Sequence, residues 1–574
     1  MSKIRFKPYN QESYAEKSLR LCELLPADHC VRFLSDVVSS LDLSPLYAGY
    51  TTQGASSYDP LMMSKVLFYA YTTGTYSSRG IEQSLRENIG FMWLSAGQVP
   101  DHNTLNRFRL KFKEILPDLF SQTVQMLSER GLVSLEKVYL DGTKWEANVN
   151  KYRFVWGKRI AKNKAKLEAQ LLEMNAFIAR QVAQESPSLC SEHPPQNAQQ
   201  WSTQIEVWKN LPLNPKNWTT ATHKQFKKLL KEAVFRLTNY ELAERILAGR
   251  NSYAKTDLDA TFMRLKEDAM KNGQLKAAYN IQMGTENQLI TSYSIHQSST
   301  DFGTLIPHLE ASQNIYGGKL KEICADAGYG SEQNYVYLQE KQWDAFVKYP
   351  SFYQQSKKSF AKKYPFHQQL LFYNQAQDFF VCPMGQKMHK VGQATRKTAN
   401  GYLTHLSIYQ ATNCQGCPLR PRCHQAKGNR KIYYNHNLRK LQKKAKEKLN
   451  SDQGVAHRKQ RGIDVEAVFG QLKQNWKFRR LSLRSLPKVN LEVGLMAMGH
   501  NFRKWYRKWK LEGNTQNTAL KIKSTRWWSD FKHFCIRIFW VKIKKLSLIM
   551  RQPLFFFLLL FLVVFWAFPL LVFR

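Results

Sequence analysis

Acid is scarce in this chain of 574 residues: 44 Asp and Glu stand against 85 Lys and Arg, a formal net charge of +41. The basic excess runs along nearly the whole length, which is too even for a basic tail and too large for solubility alone. It points to a polyanion partner whose phosphates are neutralised by Lys and Arg with release of counterions. Ribosomal or membrane-surface binding would give the same sum, so charge by itself does not name DNA. Cysteine is sparse as well. Cys22, Cys30, Cys190, Cys324, Cys382, Cys414, Cys417, Cys423 and Cys535 are odd in number and scattered. That argues against a disulfide framework and for a reducing compartment. The opening Met1-Ser-Lys-Ile-Arg-Phe-Lys7 has no apolar h-region, so no secretory signal is evident. No internal repeat is apparent. With 43% hydrophobic and 22% charged residues, global disorder is excluded, and the length predicts about two to four domains.

What is present is organised around Lys137-Val-Tyr-Leu-Asp141-Gly-Thr-Lys-Trp-Glu146-Ala-Asn148. Val138 to Leu140 is a continuous apolar run bounded by turn signals, which predicts a buried strand. The run delivers Asp141 at its end, and Gly142 is expected to let the backbone turn sharply. Such a strand can hold a metal-binding or catalytic carboxylate on a rigid element; it is equally a strand followed by an Asp-Gly turn. Lys144 and Glu146 either approach the same site or lead the chain onward.

From about Leu21 to Lys113 the pattern is helical: Leu34, Val37, Val38 and Leu41 repeat at helical spacing, as do Leu61, Val66, Leu67 and Tyr71. Ser77–Leu85 reads as one short helix. Pro100–Arg109 reads as another, capped by Asp101 or Thr104 and carrying Arg107, Arg109, Lys111 and Lys113. The pair fits helix-turn-helix grammar with a DNA-binding second member, and equally a bundle with a basic solvated face. Lys151 to about Asn251 reads as a helical insertion, with Ser186–Asn217 as a polar loop or linker. From Asn251 to Tyr349 strands and helices alternate: Ala277–Met283 is a strand, Gly284–Asn287 a hairpin turn, Leu289–Ile295 its return and Asp301–Leu309 a helix. Glu322-Ile-Cys-Ala-Asp326-Ala-Gly328 repeats the grammar of apolar strand, Asp and then Gly. Ser331 is placed to cap the next helix, and Trp343–Val347 is a further short strand.

Lys357–Asn450 is strongly basic and breaks the α/β pattern. It holds Cys382-Pro and Cys414-Gln-Gly-Cys417-Pro, with Cys423-His424 close behind. These four thiols make a candidate structural zinc site, with His424 as an alternative ligand. The upstream half lacks its second cysteine, so unpaired buried cysteines are the competing reading.

A third carboxylate lies on Ile463–Lys477. At 100° per residue Val465, Val468, Phe469, Leu472 and Trp476 form a core-facing stripe, and Glu466, Lys473 and Lys477 cluster on one flank. The flank is either a solvated edge or an acid facing a metal, with lysines placed for phosphates. Arg479 and Arg480 extend the basic surface. Two strand-borne aspartates and a helix-borne glutamate, in that order, are what two-metal phosphoryl transfer requires.

At these residues the chain resembles the DDE transposases of bacterial insertion sequences, in the IS-eleven-eighty-two group with an InsH-type N-terminal domain. The resemblance rests on Arg5–Asn10, Tyr58-Asp-Pro60, Pro100–Thr104, Tyr139–Lys144, Asp259-Ala-Thr-Phe262, Ala325–Gly330 and Val465–Lys473, spanning roughly residues 1–505. It implies an α/β fold with an RNase H-like catalytic core, interrupted by a helical and a basic cysteine-containing insertion, and an all-α N-terminal DNA-binding domain. It further implies dependence on two Mg²⁺ ions, with Asp141, Asp326 and Glu466 as catalytic and metal-holding residues. Water would free a 3′-hydroxyl at the element's end, and that hydroxyl would attack target DNA. Lys473, Lys477, Arg479 and Arg480 would follow the phosphates. Lys473 matches the lysine of the related Tyr-Arg-Glu-Lys signature. Its tyrosine and arginine would fall at Lys459 and Gly462 and are absent in register, leaving Arg458 or Arg461 for the arginine.

The expected domains are 1–130, helical and DNA-binding; 131–150, 251–350 and 455–505, the core; 151–250 and 351–454, the two insertions; and 506–574, a basic then hydrophobic tail. Leu554–Phe573 is uncharged and long enough for a membrane span. A non-functional extension is the reading adopted, and an anchor is the alternative. Expected partners are double-stranded DNA, comprising terminal inverted repeats and target, and a second copy in a homodimer. The expected location is the cytoplasm, at the nucleoid. The competing function is a catalytically silent DNA-binding protein derived from a transposase; a membrane-associated nuclease is a third.

Overall fold

The computed structural model describes residue 10 and residues 21–50, 56–150, 152–182, 195–211, 218–265, 274–355, 357–398 and 400–511. They belong to one compact unit, residues 1–512. The hydrophobic stretch Leu554–Phe573, together with Cys190 and Cys535, lies outside the described residues. Among the described residues no helix is long and apolar enough to cross a membrane.

The N-terminal part is helical as expected: α1 (Cys30–Ser39), α2 (Ser44–Tyr47), α3 (Pro60–Thr73), α4 (Ser78–Glu87), α5 (Ile89–Ser95) and α6 (His102–Glu129). Side-chain caps start them. Asp59 accepts from the Met62 N–H, Ser77 from Gly80, and Asp101 from Asn103 and Thr104. Asp101 rather than Thr104 is therefore the cap of α6. That helix is 28 residues long, so the basic second member is not a short helix.

The central sheet is built on β1 (Lys137–Glu146). A short ribbon follows, β2 (Phe154–Trp156) with β3 (Ser252–Ala254), and then β4 (Thr261–Arg264), β5 (Leu275–Glu286), β6 (Leu289–His296), β7 (Glu322–Ala325) and β8 (Asp344–Val347). β5 lies antiparallel beside β1, with β4 and β6 on its far edge; on the other side of β1, β7 and then β8 run parallel to it. The hairpin turn falls on Asn287 and Gln288, both at positive φ (54° and 60°). Gly284, expected in the turn, stays in β5 beside a register shift. Its missing side chain matters there, since a Cβ would lie 2.3 Å from Ser292 Oγ and 2.7 Å from Val138 Cγ2.

Between β2 and β3 stand α7 (Gly157–Val182), α8 (Ala198–Asn210) and α9 (Thr220–Leu247). The loop expected over Ser186–Asn217 contains α8. Its Trp201, Ile205 and Trp208, spaced four and three apart, form a helical stripe buried against Leu171, Met174 and Leu237. The polar residues on its other face hid that stripe in the sequence.

Residues 373–434 form a second sheet, of β9 (Tyr373–Asn374), β10 (Phe379–Val381), β11 (Lys387–Lys397), β12 (Leu403–Ala411) and β13 (Lys431–Tyr434) in order β13-β12-β11-β10-β9. A long helix, Leu486–Leu511, ties the N-terminal helices to the central sheet. Gly494 faces Leu116 and Tyr293, and Gly499 faces the backbone of Tyr71 so closely that a Cβ would come within 2.7 Å of it.

Candidate active site

The parallel pairing of β1 with β7 ends at Leu140 opposite Ala325. One residue further along each strand stand Asp141 and Asp326, so the sheet sets the two candidate carboxylates side by side. The sharp turn expected at Gly142 does not form. β1 continues to Glu146 because β5 pairs with it from Tyr139 to the end. Gly142 is instead required by space, since a Cβ would meet Gln282 Nε2 at 2.5 Å and Asp301 Oδ1 at 2.7 Å. Asp301 is fixed there by the Asn280 and Gln282 amides at 2.8 and 3.1 Å, and Tyr329 hydrogen-bonds to Gln282 beside it.

The fate of Lys144 and Glu146 follows from strand alternation, which puts them with Gly142 on the face opposite Asp141. Lys144 donates to the Arg264 carbonyl at 3.2 Å, and Glu146 pairs with Lys276 at 3.0 Å.

Glu466 comes from a helical run starting at Asp452 that contains two π turns, Gly462–Glu466 and Gln471–Asn475. The expected stripe is present: Val465, Val468, Leu472 and Trp476 are buried, and Phe469 packs beside Val465. On the flank, the guanidinium of Arg461 gathers all three acids. Its Nη1 stands 2.9 Å from Asp141, and its Nη2 stands 3.4 Å from Glu466 and 3.8 Å from Asp326. The side chains grade outward, from Arg461 (8% exposed) and Asp141 (12%) to Asp326 (45%) and Glu466 (64%).

The π turn explains why the arginine looked out of register. A π turn bonds i to i+5, so it takes one more residue than an α turn. Arg461, five before Glu466, thereby shares its face, where an α-helix would need residue 462. Arg458 instead lies over the Phe352 ring at 5.5 Å.

Burial raises the Asp326 carboxyl, but Arg461, the Ala327 N–H and Lys348 outweigh it and hold it below the usual carboxylate range. Lys348 stands 3.4 Å away. For Arg461 burial works against the charge, and the carboxylates of Asp141, Asp326 and Glu466 more than restore it. Burial pushes the neighbouring Cys324 thiol up to about 12, which keeps it a neutral hydrophobe.

The candidate phosphate contacts divide. Lys477, Arg479 and Arg480 are exposed at the end of the helical run, and Arg107 is exposed on α6. Lys473 is buried and donates to the Lys144 carbonyl at 3.0 Å. Arg109 is buried among the N-terminal helices, donating to Asn106 at 2.7 Å and to the Tyr76 carbonyl at 3.2 Å. Neither presents its charge on the surface as expected.

Asp141, Asp326 and Glu466 supply hard oxygen donors of the kind Mg²⁺ takes, and one buried cation already draws all three together. Among the described residues no three His, Cys, Asp or Glu side chains stand close enough to hold a metal as they are. For the carboxylates the shared guanidinium accounts for the spacing. Of the four candidate zinc thiols, Cys414 and Cys423 both accept from Arg430, at 3.4 and 2.9 Å, and Cys382 packs against the cluster that holds Cys414. Cys414 sits in the core of the second sheet with Phe380, Met388 and Tyr409. Both ring nitrogens of His424 are buried without a hydrogen-bond partner.

Two comparisons with protein families bear on this arrangement. Residues 381–506 match a transposase DDE domain, a stretch that includes Glu466 and Arg461. Residues 19–111 match a transposase domain (DUF772), which covers α1 to α5 and the start of α6. Neither a curated protein nor a solved structure matched the chain. The two family matches support an insertion-sequence DDE transposase.

Proposed function

We propose that the chain cleaves DNA strands at the ends of an insertion sequence and joins them to target DNA, with Asp141, Asp326 and Glu466 as its catalytic acids. The observation that carries this reading is their convergence on Arg461 from a central strand, the end of the adjacent parallel strand and a flanking helix. The strand order supports an RNase H-like core: β5 lies antiparallel to β1 and carries β4 and β6, and β7 and β8 then run parallel to β1. The acidic pair lies where the parallel pairing ends.

Asp141, Asp326 and Glu466 would hold Mg²⁺, which when bound activates an attacking oxygen and stabilises a leaving one. The chain's own residues do the rest. β1 and β7 fix two carboxylates on hydrogen-bonded backbone, so their separation is set before substrate arrives. Glu466, the most exposed of the three, borders the open side through which a phosphodiester must come. Lys477, Arg479 and Arg480 lie beyond it as exposed cations that would follow a DNA backbone. Cleavage adds water to the scissile phosphorus and releases the element's 3′-oxygen as a hydroxyl. In the joining step that hydroxyl displaces a 3′-oxygen of target DNA.

The test is cleavage of a donor plasmid carrying the element's ends, with Mg²⁺. Asp141→Asn, Asp326→Asn and Glu466→Gln should each abolish nicking while gel shifts of end DNA persist. Normal cleavage by any one variant removes that residue from the triad. Wild-type protein that shifts the DNA without ever nicking it would make the chain a binding protein only.

A further inference from the structure

Among the described residues, the buried arginines other than Arg461 are fixed by the surrounding frame. Arg109 donates to Tyr76, Asn106 and Tyr71, and Arg430 to the Phe366 carbonyl and the Cys423 sulfur. Arg461 differs. Its terminal nitrogens face the carboxylates of Asp141, Asp326 and Glu466. The carboxylates hold it, and a divalent cation bound by the same oxygens would stand against its positive charge. The residue immediately precedes the π turn Gly462–Glu466, a helix irregularity that is frequent at functional sites.

We propose that Arg461 is the resident counter-ion of the site. It keeps the three carboxylates together while the site holds no metal, competes with divalent metal for them, and passes to a DNA phosphate when the ends bind. The proposal rests on the catalytic reading of those acids. A guanidinium suits both positions, because its planar fork pairs with carboxylate or phosphate alike. The site then takes metal weakly until DNA arrives, because only a phosphate offers Arg461 a second partner of equal kind. Lys348 stays beside Asp326 in either state, since it is itself buried between Asp326 and the Tyr353 ring.

Mn²⁺ binding to the DNA-free full-length protein, read from the free-ion electron paramagnetic resonance signal, tests this. Arg461→Gln should bind Mn²⁺ about 10-fold more tightly than wild type, the scale of a typical coupling between two ligands at one site. Arg461→Lys, which keeps the charge, should stay near wild type. Equal or weaker binding by folded Arg461→Gln overturns the proposal. Asp141→Asn is measured in both backgrounds. If it leaves Mn²⁺ binding unchanged in each, the triad reading itself is wrong; if it weakens binding while Arg461→Gln matches wild type, only the counter-ion role is lost. Wild-type protein gives a second readout should Arg461→Gln not fold. Phenylglyoxal should modify Arg461 slowly without metal, faster with Mn²⁺, and slowly again once a short end duplex is added. Unchanged reactivity on adding Mn²⁺ overturns the proposal as well.

Discussion

Arg461 and Asp141 are 320 positions apart in the chain, yet Arg461 Nη1 stands 2.9 Å from Asp141 Oδ2. Both side chains are nearly buried, so each compensates a charge that water cannot. Removing one partner of such a pair typically costs about 3–5 kcal/mol, because the other is left uncompensated. Removing both costs less than the sum. We therefore expect Asp141→Asn and Arg461→Met each to lower the urea midpoint sharply, and the double variant to recover about 1–3 kcal/mol relative to additivity. Strictly additive losses would mean that the pair is not coupled in solution.

Gly142 lies in the middle of β1, where the only thing it supplies is the absence of a Cβ. Ala at this position must push Gln282 or Asp301 aside by about half an ångström or more, given Cβ approaches of 2.5 and 2.7 Å. Overpacking of this kind costs about 1–3 kcal/mol. Because the Gly142 N–H donates to Asp141 Oδ1 at 2.8 Å, a backbone shift here reaches the carboxylate, and Gly142→Ala should lose most strand cleavage while keeping end binding. Gly328→Ala is the control, since its nearest neighbour would be 3.3 Å away, and it should be milder on both counts. Equal behaviour of the two variants would remove the packing explanation.

These two positions also mark how much the sequence discloses. Asp141 and Asp326 were legible because each ends an apolar run that the parallel pairing buries, and the Glu466 stripe was legible because its period is helical. Gly142 was misread: Asp-Gly is a turn signal locally, and only the antiparallel partner β5, more than a hundred residues away, keeps the strand extended. Arg461 stayed one of two candidates because a constant helical period cannot register a π turn. Arg109 and Lys473 looked like surface cations, and their burial depends on polar partners that a charge pattern does not reveal. The stripe of α8 was lost in a segment rich in Gln, Asn and Pro.

Trp208 shows what that stripe is worth. It is fully buried among Trp201, Phe226 and the α7 side chains, and its indole N–H donates to Asn175 at 3.2 Å. Trp208→Ala should cost about 3–5 kcal/mol, and the loss should be confined to α7–α9, which have their own core. Hydrogen exchange would read this directly. Amides of α7 and α9 should lose protection while those of β1 and β5 keep theirs, and a uniform loss would show that the insertion and the sheet unfold together.

Glu492, fully buried on the helix Leu486–Leu511, receives the Ser482 and Leu483 N–H groups and the Ser482 hydroxyl, at distances from 2.5 to 3.0 Å. The loop it clamps directly follows Arg479 and Arg480. Glu492→Gln can still accept these bonds through one oxygen but turns an amide against the remaining donors. Bonds to a charged group are worth about 1.5–3 kcal/mol each, so a loss of that order is expected. End affinity should fall with it, because the loop's position sets that of the two arginines. A variant that is destabilised yet binds end DNA normally would detach the loop from DNA contact.

Acid should destabilise the protein well before its carboxylates titrate. Burial drives His296 and His500 down to about 4 and His308 down to about 3. His308 bridges Ser292 and Ser294 at 2.9 and 2.7 Å, and His500 meets the Gln288 carbonyl at 2.9 Å. All three are neutral in the folded chain near pH 6, whereas the unfolded chain protonates them near 6.5. Below that value the unfolded state binds more protons, so stability falls with pH until the folded values are reached. Each group contributes a slope of about 1.4 kcal/mol per pH unit, and the three together approach about 4. Between pH 6.5 and 5 few carboxylates change charge, so urea midpoints in that window read the buried histidines. His29, His367, His424, His436 and His457, also lowered by burial, add in the same direction. His308→Gln should flatten the slope by about one proton's worth. An unchanged slope in that variant would mean that His308 is already charged, or already solvated, in the folded protein.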